Sequence, residues 1–97
     1  MNYFKNDLTQ AFKELRKLGY FARQNFMCCQ SCAWASVPDG KEEKVVFYHR
    51  QDNTDVKYSN SVYLAWNGNG AEIVEVLSKF FKVEWDGSEY TRIKASY

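Results

Sequence analysis

The sequence predicts a single α+β domain spanning residues 1–97, and three patterns carry that prediction. Two stretches, residues 8–18 and 69–81, repeat apolar side chains at helical spacing. Two short runs, Val45-Val46-Phe47-Tyr48-His49 and Val62-Tyr63-Leu64-Ala65-Trp66, are β-branched and aromatic on both faces. A closing pair of segments flanks Asp86-Gly87, a hairpin signal. Helices with one apolar face need a sheet to cover them. The expected architecture is a four- or five-stranded sheet, mixed or mainly antiparallel. Both long helices lie on one face of it, and a short cysteine-rich helix or turn completes the domain. The pattern does not order the strands.

The first helix rests on Leu8, Ala11, Phe12, Leu15 and Leu18, with Gln10, Lys13, Glu14 and Lys17 opposite. Asp7 and Gln10 have capping-box spacing at its start, and Gly19 supplies a left-handed stop. Residues 20–26 alternate loosely as a strand, placing Phe21, Arg23 and Asn25 on one side. Residues 28–35 turn to small side chains plus Trp34, which suits a short helix or tight turn, and Val37-Pro38-Asp39-Gly40 breaks the chain. Residues 45–49 and 62–66 are expected as central strands. Between them, the polar residues 51–60 are expected to form the longest loop. Asn69 and Glu72 repeat the capping logic before a helix whose inner face is Ile73, Val74, Leu77, Phe80 and Phe81. Residues 82–85 and 90–95 close the chain as a hairpin.

Composition narrows the function. Thirteen basic and twelve acidic residues leave a net charge of +1, far from the electrostatic footprint of a nucleic-acid binder. No apolar run approaches a membrane span, and the amphipathic first helix has no signal-peptide core. Three clustered cysteines without an export signal read as reduced cytoplasmic thiols. Neighbouring Cys28 and Cys29 are poor disulfide partners, because adjacent Cα atoms lie ~3.8 Å apart.

The candidate chemistry lies in Cys28, Cys29, Cys32 and the only histidine, His49. Three thiols and one imidazole suffice for a tetrahedral zinc, although the second cysteine knuckle of most structural zinc sites is absent. If Cys28 opens a helix, it faces Cys32 at i, i+4, and Cys29 faces Cys32 at i, i+3. Cys29-x-x-Cys32 after a strand also fits a redox pair, but Pro38 is too close to be the distant cis-proline of thioredoxin-like folds. A thiol activated by His49, itself oriented by Asp52, would make a nucleophile. The plainer alternative buries the cysteines under Trp34 as small hydrophobes and ties His49 to Asp52 or a carbonyl. Arg23 and Asn25 lead into the cysteine turn, while His49, Gln51 and Asp52 leave the central strand. Neighbouring strands would gather these residues into one polar site, or into a buried network with Arg23 paired to Asp52.

Tyr48, Tyr58, Tyr63, Trp66, Trp85 and Tyr90 would suit base stacking, but without a basic groove they fit core packing and a protein interface better. Gly68-Asn69-Gly70 at a helix start has no following lysine and reads as a turn more than an anion site.

Three blocks carry a resemblance: Ala22-Arg23-Gln24-Asn25-Phe26-Met27-Cys28-Cys29-Gln30-Ser31-Cys32, then Phe47-Tyr48-His49-Arg50-Gln51-Asp52, then Val62-Tyr63-Leu64-Ala65-Trp66. Together with the closing segment, Ala71-Glu72-Ile73-Val74 through Thr91-Arg92-Ile93, they resemble an uncharacterised family of small bacterial proteins known only as a domain of unknown function. The resemblance implies that Arg23, Asn25, Cys28, Cys29, Cys32, His49, Gln51 and Asp52 belong to a shared pattern. It implies no activity.

The function these features favour is a small non-catalytic cytoplasmic module that binds a protein partner or regulates one. The alternatives are a zinc-binding domain using Cys28, Cys29, Cys32 and His49, and a thiol-dependent enzyme or redox protein. No complete catalytic constellation is legible.

Overall fold

A computed structural model describes residues 3–28, 30–89 and 91–97. Helix α1 (Tyr3–Lys17) leads to strand β1 (Phe21–Arg23), a short helix α2 (Gln30–Ala35) and strand β2 (Val45–Phe47). A 3₁₀ turn (Arg50–Asp52) runs into helix α3 (Asn53–Tyr58) and then strand β3 (Ser61–Asn67). Helix α4 (Gly70–Leu77) and strands β4 (Lys82–Glu84) and β5 (Ile93–Ser96) complete the chain. The strands form one five-stranded sheet in the order β1-β2-β3-β5-β4. β1 and β2 are parallel; the β2–β3, β3–β5 and β5–β4 pairs are antiparallel. The expected mixed α+β sheet is therefore the observed one, and β3 holds its centre.

Strand alternation divides the core between the two faces of the sheet. On one face Ala22, Val46, Tyr48, Val62, Leu64, Ile93 and Ala95 pack with α1, α3 and α4. Both long helices thus lie together, as the paired apolar stripes predict. On the other face Val45, Phe47 and Ala65 are covered by Ala33 and Val37, with Phe21, Phe26 and Trp34 at the margin. The Trp34 ring meets Phe47 edge-on, with centroids 4.9 Å apart.

Several boundaries differ from the sequence expectation. Helix α1 begins at Tyr3, so Asp7 lies inside it and caps nothing; its carboxylate accepts from the Tyr97 hydroxyl. The helix extends back because Phe4 is fully buried against Phe81, a partner far along the chain. Gly19 does end it: at φ +96° it allows Tyr20 N to bond Leu15 O and Gly19 N to bond Arg16 O. β1 covers only Phe21–Arg23, because Asn25 and Met27 take left-handed backbone (φ +50° and +63°). α2 starts at Gln30, so Cys28 is not on the helix and the i, i+4 pairing with Cys32 does not arise.

Residues 51–60, expected as a loop, instead form the 3₁₀ turn and α3, whose single buried side chain is Val56. α4 ends at Leu77, before Phe80 and Phe81, and Asn69 caps it by accepting from Glu72 N at 3.1 Å. The closing hairpin forms, with residues 85–92 as a wider connection than the Asp86-Gly87 turn alone.

Candidate functional site

The end of β2 gathers part of the predicted polar group. Tyr48 O accepts from Phe26 N at 2.8 Å, and Met27 O accepts from Arg50 N at 3.0 Å. These bonds extend the β1–β2 alignment past the regular strands and bring the chain just before Cys28 against the backbone beside His49. The sulfur-bearing turn and the imidazole-bearing strand end are therefore neighbours in backbone position.

His49 keeps an extended backbone and is 6% exposed. Its Nε2 lies 3.4 Å from Asp52 Oδ2 across the 3₁₀ turn. The same carboxylate oxygen receives Arg92 Nη1 at 3.3 Å. Arg92 in turn lies over the ring of half-exposed Tyr63, 5.4 Å from its centroid. Facing Asp52, Nε2 is the nitrogen that the carboxylate favours as the proton carrier. Nδ1 then presents a lone pair, and among the described residues it is buried with no hydrogen-bond partner. Asn53 Oδ1 is a second buried acceptor without a donor.

The other predicted residues stand apart from this pair. Arg23 does not meet Asp52: its Nη1 donates to Ala22 O at 3.3 Å and its guanidinium lies 4.5 Å over the Phe21 ring. The partner expected at Arg23 is supplied by Arg92. Asn25 and Gln51 are exposed. Cys28 is exposed and Cys32 half-buried, and Cys29 lies outside the described residues. Among the described residues no three His, Cys, Asp or Glu side chains come together to hold a metal ion. Of the aromatic residues considered for base stacking, Tyr48 is fully buried, Tyr58 and Tyr63 are exposed on different elements, Trp66 and Trp85 pair with each other, and Tyr90 lies outside the described residues.

Replacing Asp52 with alanine strips the imidazole of its charge partner and is expected to lower stability by about 1 kcal/mol. Arg92→Ala, at a more exposed end of the same contact, should cost less than about 0.5 kcal/mol. Urea denaturation of both variants checks this. Equal losses would mean that the His49–Asp52 contact contributes nothing.

A second site, a cleft of about 630 Å³, lies where β3 runs into α4. Its aromatic wall is Trp66 and Trp85, perpendicular to each other with centroids 5.5 Å apart. Gly68, Gly70, Ser88 and Glu89 also line it. Both indole N–H groups are committed: Trp66 Nε1 donates to Thr91 O at 2.8 Å and Trp85 Nε1 to Ser88 O at 2.9 Å. Asp86 Oδ1 fastens the rim by accepting from Ser88 N and Thr91 Oγ1 at 2.8 and 2.7 Å. These bonds hold its carboxyl below the usual aspartate range. Gly70 is required by the rings, since a Cβ there would lie 2.5 Å from Trp85 and 2.8 Å from Trp66.

Sequence reading noted Gly68-Asn69-Gly70 but missed this cleft. Its second wall comes from Trp85, which follows β4, and β5 separates β4 from β3 in the sheet. The legible signal was a glycine-rich turn directly after a tryptophan.

The model of a protein family described as Domain of unknown function (DUF6891) matches residues 5–96. The chain belongs to this family. No curated protein and no solved structure matches the chain. Membership in DUF6891 agrees with the resemblance seen in the sequence and brings no activity with it. No helix among the described residues is long and apolar enough to cross a membrane.

Proposed function

We propose that this domain is a non-catalytic protein-interaction module of the reducing cytoplasm, binding a short segment of a partner protein in the Trp66–Trp85 cleft. The cleft is the observation that carries the reading. It falls within the volume range of ligand sites, and it presents tryptophan, a residue enriched at interface hot spots. The indole nitrogens and the Asp86–Ser88–Thr91 rim are held by hydrogen bonds, which suits a rigid recognition surface. A near-neutral net charge fits a protein partner better than a nucleic acid.

Selection of random peptides on the purified domain tests the reading. Selected peptides should shift the indole N–H resonances of Trp66 and Trp85 in a ¹⁵N-correlation spectrum. Trp34, packed on the opposite face of the sheet, should stay fixed. Peptides that bind while leaving Trp66 and Trp85 unmoved would overturn it.

A second reading, zinc binding through Cys28, Cys29, Cys32 and His49, is favoured by the unpartnered Nδ1 of His49. A buried lone pair whose ring is oriented by a carboxylate is the arrangement found behind metal-ligating histidines. Elemental analysis of protein purified without chelators decides it: about one zinc per chain would support this second reading, and a trace amount rejects it.

A further inference from the structure

We infer that the group seated in the Trp66–Trp85 cleft is a cationic side chain, the guanidinium or ammonium of an arginine or lysine in the partner segment. The inference rests on the interaction reading above and specifies its chemistry.

Three features of the cleft point the same way. First, both indole N–H groups are spent on Thr91 O and Ser88 O, so the rings can offer a guest only their carbon faces and edges. Those faces carry the negative part of the ring quadrupole, and tryptophan is the strongest of the aromatic cation acceptors. Half-buried Trp85 offers such a surface to a guest, while Trp66, 8% exposed, packs edge-to-face with it and contributes little open face of its own. Second, Glu89 is the one ionisable side chain among the described lining residues, and no lysine or arginine lines the cleft. Asp86 does not line the cleft, but its carboxylate is bonded to the lining residue Ser88 and to Thr91, which adds negative charge close by. Third, the rim is open at Gly87, where an added Cβ would meet nothing within 4 Å, so a long side chain can enter there.

The N-terminus of α4 is the competing feature, because a helix start attracts anions. Here it is answered in part. Asn69 Oδ1 takes the Glu72 N–H, and the Glu72 carboxylate stands in the first turn, where its charge opposes the helix dipole. An anionic guest would also have to approach Glu89. Negative charge at the rim and at the helix start, with aromatic faces between them, is complementary to a cation.

Three small probes separate the possibilities: N-acetyl-arginine methylamide, its isosteric neutral citrulline analogue, and the glutamate analogue. Each is titrated into the ¹⁵N-labelled full chain at constant ionic strength. The arginine probe should move the Trp66 and Trp85 indole signals saturably, leave Trp34 fixed, and bind at least tenfold more tightly than the citrulline probe. Glu89→Gln, an exposed position, should weaken the arginine probe by at least threefold, and added salt should weaken it further. Equal or tighter binding of the citrulline or glutamate probe would overturn the inference. If the selected peptides engage the cleft through a neutral or acidic anchor, the cationic assignment fails while the interaction reading stands. Peptides that bind elsewhere sink the interaction reading itself.

Discussion

Gly70→Ala lowers the stability of this domain by about 1–3 kcal/mol, although the same exchange in an unobstructed helix would raise it by about 1 kcal/mol. The sign is reversed by packing. A Cβ at Gly70 would lie 2.5 and 2.6 Å from two atoms of the Trp85 six-membered ring and 2.8 Å from Trp66, closer than carbon atoms can approach. Flexible side chains would yield cheaply, but these are rigid rings whose indole nitrogens are anchored to Ser88 O and Thr91 O. Making room means breaking one of those bonds or lifting α4 away from the sheet. Denaturant unfolding gives the loss directly, and the indole N–H signals of Trp66 and Trp85 should shift while that of Trp34 does not. A stabilised alanine variant would show that the rings do not close over Gly70. Gly87 provides the contrast: its φ of +86° carries a backbone penalty, yet no atom lies within 4 Å of the added methyl. Gly87→Ala should therefore leave the tryptophan signals in place.

What the sequence revealed and what it hid follow from how local each interaction is. The stripe of Leu8, Ala11, Phe12 and Leu15 is written within about two turns of one helix, and these four side chains are buried as the spacing predicts. Leu18, expected in the same stripe, falls beyond the helix end and is 42% exposed. The start of that helix was hidden, because Phe4 is held by Phe81 and Tyr97, which no local pattern connects to it. Helix α3 was invisible for a different reason: with Val56 its only buried residue, it has no stripe to detect. The same distinction governs the site. His49 and Asp52 meet at i, i+3 and were legible as a pair, whereas Arg92 reaches Asp52 only through the strand order. The expected neighbourhood of the two strand ends suggested Arg23 for that role, but Arg23 stacks on Phe21 within its own strand. The tryptophan cleft is the extreme case, since it exists only once the closing hairpin has folded back beside the end of β3.

Raising the pH from 9 to 12 should erode stability through Tyr48, and Tyr48→Phe should remove that part of the loss. The Tyr48 side chain is fully buried beneath α1, with its ring edge-on to Phe12. Its hydroxyl lies 3.4 Å from Gln24 Oε1, an acceptor that favours the neutral phenol and repels the phenolate. Burial pushes its pKa from the ordinary 10.0 up to about 12. A pKa raised by folding means that the folded state holds the proton more tightly than the unfolded chain. The stabilisation is therefore complete below pH 10 and disappears as the pH climbs towards 12. The gap corresponds to at most ~2.7 kcal/mol, and relaxation of the surroundings around the phenolate brings the expected loss to about 1–2 kcal/mol. Tyr20 and Tyr97 are also pushed up to about 12, by burial first and then by Glu72 and Asp7 respectively. Both remain in the variant, so their contributions cancel when the two proteins are compared. At pH 8 the phenylalanine variant, which keeps the packed ring and loses one long hydrogen bond, should be within about 1 kcal/mol of the parent. Above pH 10 its stability should fall less steeply, so that the two curves converge or cross. Parallel curves up to pH 12 would mean that folding leaves the Tyr48 proton no harder to remove, and the burial of that hydroxyl would then be wrong.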